Sequence, residues 1–306
     1  MCIVSVIMAT YKEEEKYLRE AIESILNQTY SRFEYIIILD NPDNKQHIRI
    51  IKDYASIDNR IKFMINEENK GLTSSLNRGL KLAKGKYICR MDADDIAIKD
   101  RIEKQLEYLV TNNYDLIGGL TDVISESGEQ MYSIKKIPFN PTQVQTGLKY
   151  NNCIPHPTWF AKRDIFDKLN GYRDIRACED YDLLIRASLA GFKLCNINYT
   201  VLKYRMTSNS ISRSNLFEQY LYMKYITAEY SKGNVANVDE AIAFVNKKNT
   251  ERKSNNYSLA NQNFNQMLKN LNNKKVFLFI INGVKLVFCS KSYVNKIYRL
   301  FRVSLL

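Results

Sequence analysis

Apolar and polar positions follow two rhythms along the first hundred residues. Short continuous apolar runs, "CIVSVIMA" from Cys2, "FEYIIIL" from Phe33, "IKFMI" from Ile61 and "YICRM" from Tyr87, read as strands of the buried, parallel kind. Between them apolar residues recur at helical spacing. Leu18, Ala21, Ile22, Ile25 and Leu26 predict a helix over about 13–27, a second is expected around 45–55, and Leu72, Leu76, Leu80 and Ala83 mark a third. Strands alternating with amphipathic helices predict a parallel α/β sheet.

After a helix bearing Ile102, Leu106 and Leu109 the alternation breaks, and strand-like runs near 116–125 and 131–137 suggest a change of sheet. "RDIFDKLNG" predicts a helix ended by Gly171, and a further helix is expected over about 179–190, before Gly191. "FKLCNI" and "YTVLKYRM" are expected to close the domain as two strands. Beyond about Ser214 the texture turns to helical segments rich in Asn, Lys and Tyr. The expected division is an α/β domain over 1–214 and a basic helical region over 215–306.

Composition narrows this picture. The 306 residues, 45% hydrophobic and 25% charged, suit a globular domain with an appendage. A formal net charge of +12 favours an anionic partner. The six cysteines, Cys2, Cys89, Cys153, Cys178, Cys195 and Cys289, show no C-x-x-C spacing, which argues against zinc ribbons and redox dithiols and for a reducing, cytoplasmic compartment. The first apolar run has no basic stretch before it, so no signal peptide is expected. The late run 276–289 falls short of the roughly 20 residues a membrane-spanning helix needs. From 271 onward the chain carries Lys274, Lys275, Lys285, Lys291, Lys296, Arg299 and Arg302 but no acid, interleaved with "VFLFII", "LVF" and "LFRVSLL". Two readings stand: a helix lying in the plane of an anionic membrane surface, peripheral on the inner face of the cell membrane, or one packed on the catalytic domain. Nucleic acid is not expected, because a DNA reader would not need so much apolar surface.

The candidate chemistry begins at "MDADD", where Asp92, Asp94 and Asp95 put three carboxylates in four positions directly after a strand. Their repulsion must be offset by a cation, a backbone nest or a basic partner. Asp40 ends strand two as Asp92 ends strand four, and ligands of open parallel sheets sit outside those strand ends.

Four stretches, "SVIMATYKEEEKYLREAIESILNQTY", "YIIILDNPD", "NKGLTSSLNRGLKLAKGKYICRMDADD" and "CEDYDLLIRA", in that order, resemble the family 2 glycosyltransferases over about residues 3–206. The resemblance implies a GT-A fold: a Rossmann-like, mixed but mainly parallel sheet flanked by helices, here with a C-terminal helical extension. It also implies an inverting transfer from a UDP-sugar to a hydroxyl of a glycan or lipid-linked oligosaccharide in bacterial surface polysaccharide synthesis. A binding module that no longer catalyses is the alternative. A nucleotidyltransferase would share the sheet and acids, but its Gly-rich phosphate loop is missing.

By resemblance, Asp92-Ala93-Asp94 is the D-x-D motif, with Asp94 a ligand of Mn2+ or Mg2+ and Asp92 facing the ribose and the metal's outer shell; hard divalent cations favour such oxygen donors. Asp95 either holds the loop or meets the donor sugar, and Arg90 either supports the acids or acts in catalysis. Asp40 is implied to recognise uracil, although Asp40-Asn41-Pro42-Asp43 departs from the usual DDGS or DNGS; Asn44 suits a helix cap. Thr10 and Tyr11 are implied nucleotide contacts, with core packing as the other reading for Tyr11. Lys70, with Gly71 before a helix, offers a phosphate site or a solvated side chain. Glu179-Asp180 resembles the "ED" motif, with Asp180 as general base and Glu179 positioning it or the acceptor. His156, bracketed by prolines, and Trp159 suggest an acceptor-side loop that stacks on a sugar, or alternatively a buried structural histidine.

Overall fold

The computed structural model describes residues 3–207 and 215–306. Strands β1 (Val4–Thr10), β2 (Phe33–Leu39), β3 (Ile61–Ile65) and β4 (Tyr87–Asp92) form the parallel half of the sheet, in the order β3-β2-β1-β4. Helices α1 (Glu15–Leu26), α2 (Lys45–Ile57) and α3 (Leu72–Leu82) make the crossovers, close to where the apolar spacing puts them. The pleat divides each strand between two cores. Ile36 and Ile38 pack with Leu76 of α3 on one face, while Ile37 packs with Ile22 of α1 and Ile50 of α2 on the other.

Beyond β4 the sheet becomes mixed. The three-residue β8 (Phe160–Lys162) lies antiparallel between β4 and β6 (Leu116–Ile124); β9 (Leu194–Arg205) runs parallel to β6, and β5 (Ile96–Ala97) and β7 (Gln130–Ile134) add antiparallel edges on β9 and β6. The two closing strands expected from "FKLCNI" and "YTVLKYRM" are one. β9 stays paired to β6 through two register slips between Gly119 and Thr121, so Asn198 and Tyr199, and then Val201, bulge out within one strand. Helices α4 (Arg101–Thr111), α5 (Pro141–Gly147), α6 (Arg163–Leu169) and α7 (Glu179–Leu189) complete this part. Both α5 and β8 escape a reading by periodicity because each is too short to show one.

The boundary expected at 214 falls outside the described residues. Beyond it stand α8 (Leu216–Ser231), α9 (Val238–Lys248), α10 (Glu251–Asn272), α11 (Val276–Cys289) and α12 (Lys291–Ser304). Phe217, Tyr220, Leu221 and Ile226 of α8 share one hydrophobic cluster with Trp159 and Leu184. Arg299 of α12 donates to the carbonyls of Tyr150 at 2.6 Å and Lys149 at 3.2 Å and to Thr227 Oγ1 at 2.7 Å. The tail thus packs on the α/β body through α8 and α12. α11 differs: it bends from α12 by 114° and leaves Phe277 75% and Phe288 86% exposed. Among the described residues no single helix is long and apolar enough to cross a membrane.

Candidate active site

The parallel register brings the first acids together. Ala9 lies opposite Asp92, Thr10 opposite Leu39, and the Asp40 N–H donates to the Thr10 carbonyl at 2.8 Å, so β1, β2 and β4 end on one rim. The chain turns sharply after Asp92, and carboxylate oxygens of Asp92, Asp94 and Asp95 come within 4.8 Å of one another. Arg90, two residues back on the same face of β4 and buried, forms an ion pair with Asp92. Arg205, at the end of β9, fixes the loop: its N–H donates to Asp95 Oδ1 and its Nε to the Asp94 carbonyl, both at 2.8 Å. Asp95 thereby holds the loop through one oxygen.

The cluster remains short of positive charge. Burial, then the charges of Asp92 and Glu13, push the Asp94 carboxyl up to about 7. Asp95 is pushed well above the carboxylate range by burial and by Asp92 and Asp94, and its Oδ2 is buried without a hydrogen-bond partner. An all-oxygen donor set with one oxygen unpartnered fits a hard divalent cation. Glu13 was not singled out in the sequence. It hides in the run "KEEEK", yet it accepts from Thr10 Oγ1 at 2.6 Å and from the Tyr11 N–H at 2.9 Å.

Asp40 is buried and already occupied. Its Oδ1 accepts from Asn66 Nδ2 at 2.6 Å and the Lys70 N–H at 2.8 Å, and its Oδ2 accepts from the Gly71 N–H at 2.8 Å. A carboxylate oxygen accepts two bonds, so Oδ2 keeps one position for a ligand. Lys70 reaches this strand end through its backbone, while its ammonium sits in solvent 3.9 Å from Glu67. The Thr10 hydroxyl is turned inward, against Glu13 and within 3.2 Å of His47 Nδ1. Tyr11 is 37% exposed, so its ring stands open on the rim instead of packing in the core. Asn44 caps α2 as expected, accepting from the His47 N–H at 3.0 Å.

The second pair of acids opens α7. Ala177, with φ +56°, turns the chain into the helix, and its carbonyl accepts from Gln219 Nε2 of α8 at 3.0 Å. Asp180 Oδ2 accepts from Asn152 Nδ2 at 2.7 Å and its Oδ1 from the Tyr181 N–H at 2.6 Å. Burial pushes Asp180 up to about 6; burial and then the Asp180 charge push Glu179 up to about 7. Asp180 stays partly exposed because it lines a 220 Å3 cavity, together with Asn152, Tyr220, Tyr257 and Lys296. Arg90 links both clusters, since its charge favours the ionised form of Asp94, Asp95, Glu179 and Asp180 alike.

The expected sugar-stacking loop requires correction. Pro155 and Pro157 shape a 3-10 turn over His156–Thr158 that directs both rings inward. Trp159 is 1% exposed, donates from Nε1 to the Ile154 carbonyl at 3.0 Å and stacks on Tyr172. His156 Nε2 lies 2.9 Å from Tyr172 Oη, and burial with the nearby Arg90 charge holds the imidazole neutral, well below its usual value. Neither ring offers a face to a ligand; this is the buried structural histidine.

Comparison with known proteins bears on this geometry. The family model for glycosyl transferase family 2 matches residues 5–169, from β1 through α6. The chain belongs to glycosyltransferase family 2. This family 2 glycosyltransferase is 39% identical over 224 residues to an uncharacterized glycosyltransferase of Methanocaldococcus jannaschii, covering 73% of this chain and 77% of that one. It is 35% identical over 233 residues to the O-antigen biosynthesis glycosyltransferase WbnJ of Escherichia coli, covering 75% and 89%. Among solved structures, S. aureus TarS 1–349 in complex with UDP-GlcNAc superposes with a TM-score of 0.63 at 15% identity, over 90% of this chain and 89% of that one. The fold of the glycosyltransferase is therefore the GT-A fold with C-terminal helices. The matched span ends before α7, so Asp180, Asn152's hydrogen-bond partner, lies where the family model does not reach.

Proposed function

We propose that this glycosyltransferase moves a sugar, with inversion, from a UDP-sugar to a hydroxyl of a glycan or lipid-linked oligosaccharide acceptor in bacterial surface polysaccharide synthesis. The observation that carries the reading is the pairing of two carboxylate clusters around one buried cation, Arg90. One cluster, rich in oxygen donors, lies at the sheet rim; the other lines a cavity. The UDP-GlcNAc complex of TarS supports a UDP-sugar donor, and the O-antigen role in the name of WbnJ supports the acceptor class.

Asp94 and Asp92 would hold Mn2+ or Mg2+, which supplies positive charge for the leaving diphosphate. The free position on Asp40 Oδ2 suits the uracil N3–H, and the open ring of Tyr11 gives the base a flat neighbour. The backbone at Lys70 and Gly71 orients Asp40, so these residues act on the nucleotide through it. Asp180 takes the proton of the acceptor hydroxyl as its oxygen attacks the anomeric carbon, and the bond to the diphosphate breaks, releasing UDP. Asn152 and the Tyr181 N–H aim that carboxylate, and Glu179 helps position it.

We also assign the exposed apolar side of α11, flanked by Lys274, Lys275, Lys285 and Lys291, to a peripheral seat on an anionic membrane at its cytoplasmic face. The test of the enzyme is release of UDP from UDP-sugars with Mn2+ and candidate acceptors. Asp180→Asn is expected to lower transfer about 10²–10⁴-fold with UDP affinity retained. Normal turnover by that variant would remove the assigned base.

A further inference from the structure

Half of the residues that line the cavity beside Asp180 come from the C-terminal helices. Leu216, Gln219, Tyr220 and Met223 come from α8, Tyr257 from α10 and Lys296 from α12. None of these lies in the span 5–169 that defines the family. At 220 Å3 it is smaller than the ~300–1,000 Å3 of drug-sized pockets and suits one sugar-sized group.

Two donors on its wall lack a polar partner among the described residues. Tyr257 is 0% exposed, and its hydroxyl is buried without a hydrogen-bond partner. Such a group costs stability unless something completes it. Lys296 places its ammonium 5.9 Å over the Tyr257 ring and 5.5 Å over the Tyr293 ring. Among the described residues it forms no ion pair, and residues 271–306, which surround it in sequence, contain no acid at all. Among the described residues the one carboxylate on the cavity wall, Asp180, is already engaged by Asn152 and the Tyr181 N–H. Burial pushes the ammonium's pKa down from its ordinary value, and a bound anion would favour its charged form.

We propose that this cavity is an acceptor subsite for an anionic group, a phosphate ester or a carboxylate on the sugar to be extended, bound by the Lys296 ammonium and the Tyr257 hydroxyl. The proposal rests on the reading of Asp180 as the base that meets the acceptor. It explains why a cation stands in the same cavity as that base: it offsets the repulsion an anionic acceptor would otherwise meet there. It also places acceptor choice in helices outside the family's common core.

Calorimetry on the full chain, in the presence of UDP and Mn2+, tests this with three probes: N-acetylglucosamine 1-phosphate, methyl glucuronide and the neutral methyl N-acetylglucosaminide. The expected result is at least tenfold tighter binding of one anionic probe than of the neutral one. Lys296→Gln should erase that preference, Tyr257→Phe should weaken it several-fold and Lys296→Arg should keep most of it. Whether the phosphate or the carboxylate probe wins identifies the source of the anion. Equal binding of charged and neutral probes by the wild type, or a preference that survives Lys296→Gln, overturns the proposal. UDP affinity on the same samples separates the two levels of failure. Wild-type protein that does not bind UDP sinks the proposed UDP-sugar mechanism, whereas UDP binding without anion preference sinks only the subsite. The Lys296→Arg and Tyr257→Phe variants keep the test decisive if Lys296→Gln does not fold.

Discussion

Burial raises carboxyls in both acid clusters, and Arg90 is the cation that opposes it in each. Its guanidinium is buried, pairs with Asp92 and favours the charged forms of Glu179 and Asp180. As the proposed base, Asp180 must be ionised to accept a proton, and with its carboxyl pushed up to about 6, transfer should fall as pH drops through 6. Removing the Arg90 charge raises those carboxyls further, so Arg90→Gln should move the acid limb of the pH–rate profile to higher pH. A limb that stays in place would show that Arg90 does not act on the base. Much of this was readable from residue types and order: "MDADD", "CED" and the strand-end Asp40 are distinctive in a chain with ordinary acid content. Glu13, Asn152 and Arg205 were not, because a single polar residue announces nothing until the fold puts it within 3 Å of its partner, Thr10, Asp180 or Asp95. Trp159 misled for the opposite reason. Prolines beside an aromatic suggest an exposed loop, but here they shape a turn that delivers the ring into the core.

The elements that present the nucleotide side are set by one left-handed residue. Gly71 opens α3 with φ +82°, which lets its N–H and that of Lys70 both reach Asp40. A Cβ at this position would meet nothing within 4 Å, so the cost of Gly71→Ala is purely one of backbone conformation, about 1–3 kcal/mol for a φ/ψ pair that is essentially glycine's alone. The variant should lower the melting temperature and weaken UDP binding together, as the turn relaxes away from Asp40. Loss of stability with UDP affinity unchanged would detach this turn from the nucleotide. The parallel strands and their helices were legible because each is long enough to display a period. The antiparallel β8 and the short α5 were not, and the bulge in β9 made one strand look like two, since two extra polar residues interrupt the alternation.

The chain combines a common α/β body with a tail that both packs and remains open. α8 and α12 complete the body's core and wall the cavity, whereas α11 keeps large apolar side chains in solvent beside four lysines. The sequence showed that the tail is basic and apolar but could not separate its roles, because composition does not reveal which helix turns its face outward. Membrane binding through α11 predicts that the protein sediments with vesicles containing anionic lipid, less so at high salt, and that Phe277→Glu with Phe288→Glu releases it while UDP affinity persists. Retention of the double variant on vesicles would refute that seat. The central claim, a sugar nucleotide held at the sheet rim by Asp92 and Asp94 with Asp180 across from it, is tested most directly by a crystal structure with UDP and Mn2+. The account predicts the metal on Asp94, the diphosphate bridged to it and the uracil ring at Asp40. Ligand bound on another surface, or a metal that bypasses the Asp92–Asp95 turn, would contradict it.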